Sequence, residues 1–388
     1  MIPKGKATIA SDSKAAEWVR HIAANPTGTL KNIACEFTNK LPQRPPMKEA
    51  MEFYKNLPMK RNRYGDIPCL DRTRVKLAEP RDGNDYIHAN VVVMPQHKCR
   101  YILTQAPLPD TIQDFWAMVW QENVSLIVCL TKILERGKTK TQEYWPTCCG
   151  KQYHQKYGFV HVRNVGIRNA KQYSISILEI ANERTMEKRK LTHYLYLDWP
   201  DHRVPICTHN FLQLAEFMDA QLVQYSGKDP MCVIVHCSAG VGRSGTLVAL
   251  QALMAVVNSG EEPNVLATVT DVRLQRAMSV QGPEQYLFLY YALAVHILLN
   301  ISISEEDRKG LLQKIIPLRE CSTKSRCGKM PEARKQSGKL SRLIGVTGNS
   351  KQIENPAAAD HARRQKSSSV GPKMMAAQKR HSVTRRSA

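Results

Sequence analysis

The stretch VIVHCSAGVGRSGT, residues 233–246, decides the class of fold. Its lead-in, MCVIVHC (231–237), is apolar at successive positions, as a strand covered on both faces of a sheet must be. Its continuation, RSGTLVALQALMAVV (243–257), is apolar on every side and reads as a buried helix. A buried strand that passes through the small residues SAGVG into a buried helix is a β-turn-α unit, so the chain is expected to be α/β. The junction sets Cys237 at the carboxyl end of the strand and Arg243 at the start of the helix.

That placement has chemical content. Small residues let successive backbone N–H groups point inward and form a nest for an anion. The helix N-terminus adds its own partial positive charge, and a cysteine in such a field favours the thiolate. Arg243 offers a planar fork that matches two phosphate oxygens. A nucleophile, a bowl of amides and a guanidinium together describe a phosphoryl-transfer site that calls for neither a metal nor a cofactor. The loop is not the usual nucleotide loop, which ends in Gly-Lys-Ser/Thr where this one has Gly-Arg-Ser. A buried structural cysteine at a strand-to-helix turn is the plain alternative, and the full CSAGVGR arrangement with His236 before it and Ser244 after it weighs against that.

Outward from the loop, 43% of the 388 residues are hydrophobic, enough for a sizeable core. No run approaches the roughly 18 apolar residues of a membrane span, and MIPKGKATIASDSK at the N-terminus lacks the apolar segment of a secretory signal. The 11 cysteines form no CxxC pairs, and Cys148 and Cys149 are adjacent, so free thiols in a reducing, cytoplasmic compartment are expected. The net charge is +22, and more than half of it falls in residues 301–388, with twenty Lys and Arg against seven acids.

Residues 14–40 carry helical periodicity, with Ala15, Trp18, Val19 and Ile22 on one face and a break at Asn25–Gly28. From about 60 to 300 strand-like runs (91–94, 101–104, 125–130, 173–180, 192–199, 231–237) alternate with helical ones (110–122, 209–223, 243–257, 284–299). Asp110-Thr111 and Thr208-His209-Asn210 suit helix N-termini. The expected organisation is an N-terminal helical extension (1–45), one catalytic domain (46–318) and a basic tail (319–388). The tail is too poor in apolar residues to fold alone and is expected to be disordered.

In order, the chain carries KRNRYGDI (60–67), NDYIHAN (84–90), YILTQAPLPDT (101–111), EYWP (143–146), WPDHRVP (199–205), HCSAGVGRSGT (236–246) and QGPEQYLF (281–288). Together these resemble the motifs of the tyrosine-specific protein-tyrosine phosphatases, of the single-domain non-receptor type. The resemblance implies a twisted mixed sheet flanked by helices. It also implies metal-independent hydrolysis of phosphotyrosine in proteins through a cysteinyl-phosphate. It makes Cys237 the nucleophile, and Ser238, Ala239, Gly240, Val241, Gly242 and Arg243 the phosphate cradle. Asp201 becomes the general acid and then the base, on a mobile loop that starts at Trp199 and Pro200 and ends at Pro205. Gln281 would position the attacking water with Gln285 as companion, and Ser244 would help the thiolate leave. His236 would support the cysteine from behind, with Tyr144 as its hydrogen-bond partner. Tyr64 would wall a pocket too deep for phosphoserine, and Asp66 would hold the substrate backbone. Glu135 and Lys140 match the charged loop that meets the arginine and the acid loop. Four of these residues also have plain readings: an ordinary turn for Asp201, a core histidine for His236, and a solvated hairpin for the ERGKTK segment with Glu135 and Lys140.

The chain departs from that family's usual residues at several places. It has His88 where Asn is usual and Ala106 where Gly is usual. Arg203 replaces a glycine in the acid loop, Pro283 stiffens the loop after Gln281, and bulky Met278 stands where glycine opens a side pocket for a second phosphotyrosine. Arg203 is the one feature that favours a phosphotyrosine-capturing module over an enzyme. A broader phosphatase, acting on phosphoserine or phosphoinositide, is opposed by the SAGVG interior and by Tyr64. In the tail, Ser382 and Ser387 follow basic residues as in kinase sites. The same clusters suit nuclear import, or contact with an acidic partner or membrane surface, and no specific nucleic acid is expected.

Overall fold

A computed structural model of the chain describes residues 8–150, 152–200, 203–227 and 229–323. The tail motifs, with Ser382 and Ser387, lie outside the described residues. Within them the chain opens with helices α1 (Lys14–Ala24), α2 (Pro26–Asn39) and α3 (Met51–Lys55), then strands β1 (Arg74–Lys76), β2 (Tyr86–Val93) and β3 (Cys99–Thr104). Helix α4 (Ile112–Gln121) and β4 (Val124–Cys129) follow, then a two-stranded hairpin of β5 (Leu134–Glu135) and β6 (Lys138–Thr139). An antiparallel run takes in β7 (His154–Tyr157), β8 (Val160–Asn169), β9 (Tyr173–Asn182) and β10 (Lys188–Tyr196). The chain closes with α5 (Thr208–Gln224), β11 (Met231–His236), α6 (Gly242–Asn258), α7 (Val265–Gln275), α8 (Pro283–Asn300) and α9 (Glu305–Thr323).

Nine strands make one sheet in the order β1-β2-β3-β11-β4-β10-β9-β8-β7. The central four, β3, β11, β4 and β10, run parallel, and the flanking pairs are antiparallel. A mixed sheet with helices packed on it is what the resemblance implied. Strand β11 sits at its heart with every residue buried. Its alternation divides the core: Val233 and Val235 face a cluster built with α1, α5, α6 and α8, while Cys232 and Ile234 face a second cluster built around Phe115, Trp116 and Val119 of α4. From Met231 to Val235 the strand is therefore apolar at every position, because both faces are covered.

The break at Asn25 is a true boundary. The Asn25 Oδ1 accepts from the Gly28 N–H (2.9 Å) and Pro26 opens α2, so one residue ends a helix and caps the next. The expected side-chain cap at Thr208 is absent: Cys207 is the N-cap of α5 and makes no side-chain capping bond, and the Thr208 hydroxyl instead accepts from Arg319 (2.9 Å).

Candidate active site

The loop after β11 is shaped by where its carbonyls go. The carbonyl of His236 accepts from Leu130 N–H (2.8 Å), that of Ser238 from Ala106 N–H (2.9 Å), and that of Cys237 from His236 Nδ1 (3.1 Å). The carbonyls of Ala239 and Gly240 accept from Arg276 Nη2 and Nε (2.9 and 3.0 Å). The carbonyl of Val241 accepts from Val280 and Gly245 N–H (3.1 and 3.0 Å), and that of Gly242 from the Thr246 hydroxyl (2.8 Å). Since C=O and N–H of a trans peptide point in opposite directions, these outward carbonyls turn the amides of the same loop inward. One such amide, Gly240 N–H, donates to Cys237 Sγ (3.2 Å). The result is an anion-binding bowl with a sulfur at its base.

Two glycines are required by this shape. Gly240 has φ +69°, and a Cβ there would lie 2.0 Å from the Thr104 carbonyl oxygen. A Cβ on Gly245 would lie 2.7 Å from the Ser279 Cβ and 2.8 Å from the Val280 N. Arg276 is the part that sequence reading missed. Fully buried, it clamps two loop carbonyls and is itself held by Asn90 Oδ1 (2.8 Å) and His88 Nδ1 (3.1 Å). Burial lowers its pKa, and the anionic forms of neighbouring Cys69, Tyr86 and Cys237 oppose that.

Arg243 is buried at the start of α6 and aims its fork at a carboxylate. Its Nη1 and Nη2 donate to Glu135 Oε1 and Oε2, each at 2.8 Å, and Nη1 also donates to Leu130 O. Burial pushes the Glu135 carboxyl up, but the bonds and charge of Arg243, with Lys132 N–H and the Thr131 hydroxyl, outweigh it and the net shift is downward. The β5–β6 hairpin is thus no plain solvated turn: Lys138 and Thr139 are exposed, but Glu135 points in. Lys140, just beyond it, is buried, and its carbonyl accepts from the Ser238 hydroxyl (3.1 Å).

Behind Cys237 lies a wholly buried relay. Tyr144 Oη is 2.6 Å from His236 Nε2 and 2.8 Å from His193 Nε2. The Cys237 carbonyl only accepts, so His236 carries its proton on Nδ1 and accepts a hydrogen bond from the Tyr144 hydroxyl at Nε2. His193 must then donate to the Tyr144 oxygen. Both rings are neutral, and burial, chiefly, lowers their pKa from 6.5 to about 4 (His236) and about 3 (His193).

The rim comes from four segments. Tyr64 Oη lies 2.8 Å from Ser238 Oγ, and Asp66 is exposed on the same loop. Arg63 ties that loop to the end of β3 through Gln105 Oε1, Ala106 O and Pro107 O (2.8, 3.1 and 2.7 Å). The side chains of Gln281 and Gln285 come close to Gly242, where a Cβ would stand 3.4 Å from Gln281 Oε1 and 3.0 Å from either polar atom of the Gln285 amide. The turn before them is strained: Met278 and fully buried Val280 have φ +62° and +55°. Ser244 is fully buried, and its hydroxyl has no hydrogen-bond partner among the described residues.

Asp201 itself lies outside the described residues; its flanks are described. Trp199 is buried edge-on against Phe211 (5.0 Å) and donates from Nε1 to Arg203 O (2.6 Å), while Pro200 is half-buried and Arg203 exposed. Past Pro205, Arg319 of α9 donates to Pro205 O (3.3 Å) and Ile206 O (2.5 Å), a second contact that local sequence does not announce.

The family model described as protein-tyrosine phosphatase matches residues 58–295. Tyrosine-protein phosphatase non-receptor type 9 of Homo sapiens is 40% identical over 247 residues, 61% of this chain and 41% of the relative. Receptor-type tyrosine-protein phosphatase eta of Homo sapiens is 35% identical over 250 residues (64% and 18%), and tyrosine-protein phosphatase 1 of Caenorhabditis elegans 36% over 233 (59% and 22%). The chain thus covers 41% or less of each relative's length.

Proposed function

The chain belongs to the protein-tyrosine phosphatase family, and on that premise we propose that it hydrolyses phosphotyrosine in proteins through a cysteinyl-phosphate. The Cys237 thiolate attacks phosphorus, the P–O bond to the tyrosyl oxygen breaks, and Asp201 gives the leaving oxygen its proton. A water positioned by Gln281 and Gln285 then attacks phosphorus while Asp201 takes its proton. The S–P bond breaks, releasing orthophosphate and restoring the thiolate. The inward amides from Ser238 to Gly242, with Arg243, stabilise the charge on the three non-bridging oxygens. Ser244, whose buried hydroxyl is left unpaired at a cost of about 1–3 kcal/mol, helps the thiolate depart. His236, held by Tyr144, fixes the loop from behind. Tyr64 walls the substrate ring and Asp66 holds the peptide. Trp199 and Pro205 hinge the acid loop, Pro200 supports it, and Glu135 and Lys140 hold Arg243 and Ser238.

The observation that carries this reading is the run of committed carbonyls around Cys237, since an array of inward amides serves an anion and little else. The ten described cysteines are free thiols, which supports a cytoplasmic setting, and no described helix is long and apolar enough to cross a membrane. A role in signalling by dephosphorylation follows from the substrate class, and the basic tail would add contacts to acidic partners or surfaces. The test is turnover of a phosphotyrosine peptide beside its phosphoserine counterpart, with reductant and chelator. Release of phosphate from phosphotyrosine alone is expected. Equal release from both, or tight binding of phosphotyrosine with no release, would overturn the reading.

A further inference from the structure

His88, on β2, is buried between two parts of the site. Its Nε2 is 2.9 Å from the carbonyl of Ile67, which follows Asp66 in the loop that carries Tyr64. Its Nδ1 is 3.1 Å from Nη2 of Arg276, the clamp on the Ala239 and Gly240 carbonyls. A carbonyl only accepts and a guanidinium only donates, so the ring is the neutral Nε2–H tautomer and both its nitrogens are used. Burial first, and then the Arg276 charge, lower its pKa to about 3, so the ring holds this form at neutral pH.

We propose that His88 is a positioning residue that ties the Tyr64–Asp66 loop to the phosphate bowl. One ring joins the segment that meets the substrate's tyrosine and backbone to the cation that aims the bowl's amides, so rim and floor hold a fixed separation. The plain alternative is a histidine that fills space against Phe53, its ring edge-on at 5.8 Å. The inference rests on the phosphatase reading above.

Two substitutions separate the bonds. His88→Phe keeps the ring and its Phe53 contact and loses both bonds. His88→Asn keeps an acceptor at the place of Nδ1 and is too short to reach Ile67. With the whole 388-residue chain, orthophosphate binding is measured by calorimetry, KM is measured for a phosphotyrosine peptide and for phenyl phosphate, and melting is recorded. His88→Phe is expected to weaken orthophosphate binding about tenfold, the size of one lost bond to a charged group. His88→Asn is expected to bind it within about twofold of wild type yet raise the peptide KM about fivefold relative to that for phenyl phosphate. The proposal is overturned if both variants merely melt earlier while orthophosphate binding and the ratio of the two KM values stay at wild type. It is equally overturned if Asn weakens orthophosphate as much as Phe. Should His88→Phe fail to fold, the KM ratio of His88→Asn decides. A wild type that binds orthophosphate but turns over neither substrate sinks the phosphatase reading, and the orthophosphate arm then decides on His88 alone.

Discussion

Replacing Gly240 by alanine separates two costs that one residue carries. The backbone there is left-handed, φ +69°, which costs a residue with a Cβ about 1–2 kcal/mol. The new Cβ would also stand 2.0 Å from the Thr104 oxygen and 2.3 Å from its carbonyl carbon. To reach an ordinary contact the two segments must part by at least about 1.4 Å. Thr104 is the fixed partner, since its hydroxyl donates to His88 O (2.9 Å) and its backbone lies in register with His236 in the sheet. The bowl therefore moves, and a misplacement of about 1 Å in a catalytic group costs on the order of 10²-fold in rate, or ~2.7 kcal/mol. Gly83 provides the control: its φ is +68°, and a Cβ there would meet nothing within 4 Å. Gly83→Ala is expected to lose about 1–2 kcal/mol in urea denaturation, and Gly240→Ala that and about 1–3 kcal/mol more for the displaced backbone; only Gly240→Ala is expected to lose about 100-fold in kcat/KM and most of its vanadate affinity. Equal activity in the two variants, within threefold of wild type, would refute the reasoning.

Three further outcomes follow from the same contacts. Glu135→Gln removes one partner of a pair whose side chains are 8% and 7% exposed, and is expected to cost about 3 kcal/mol of stability at pH 7, the low end for a broken buried pair because the amide still accepts a bond; its folded pKa is lowered, so its contribution is whole above 4.5 and is lost as the pH falls through the lowered value, and a urea midpoint unchanged at pH 7 would count against it. His88, His193 and His236 all resist protonation in the fold, so the unfolded chain binds more protons below pH 6.5, and stability is expected to fall by up to about 1.4 kcal/mol per pH unit per histidine between 6.5 and about 4; a flat urea profile from pH 7 to pH 5 would contradict this. Met278→Gly relieves a left-handed methionine and removes the bulk that the family resemblance sets against a side pocket, so a doubly phosphorylated peptide should bind at least about threefold tighter relative to a singly phosphorylated one, as calorimetry would show.

The parts of the site that lie together in the chain were legible. Residues 231–257 state a strand, a bowl and a helix in one reading, because each is contiguous and each has its own period. Tyr144 and Glu135 were reachable only through resemblance, and they fall against His236 and Arg243 in space. What local sequence cannot announce is Arg276: nothing in LQRAMSV distinguishes a surface arginine from one buried under the Ala239 and Gly240 carbonyls, since it caps α7 and only the packing of that helix against α6 and β2 brings them together. Helix α7 escaped notice because VLATVTDVRLQ is rich in β-branched residues that suit strands. It is helical because Val265, Val269 and Val272 recur on one face and are buried there. Strand β7, His154–Tyr157, has its first three residues exposed at the edge of the sheet and so offers no apolar stripe to read.

The most direct measurement is to quench the protein in acid while it turns over a phosphotyrosine peptide labelled in its phosphate, and to map the label by mass spectrometry. Label is expected on the peptide that contains Cys237, more of it in Gln281→Ala, where breakdown of the intermediate is slowed, and none in Cys237→Ser. Turnover with no label on Cys237 in any variant, or label that survives Cys237→Ser, would contradict the cysteinyl-phosphate route.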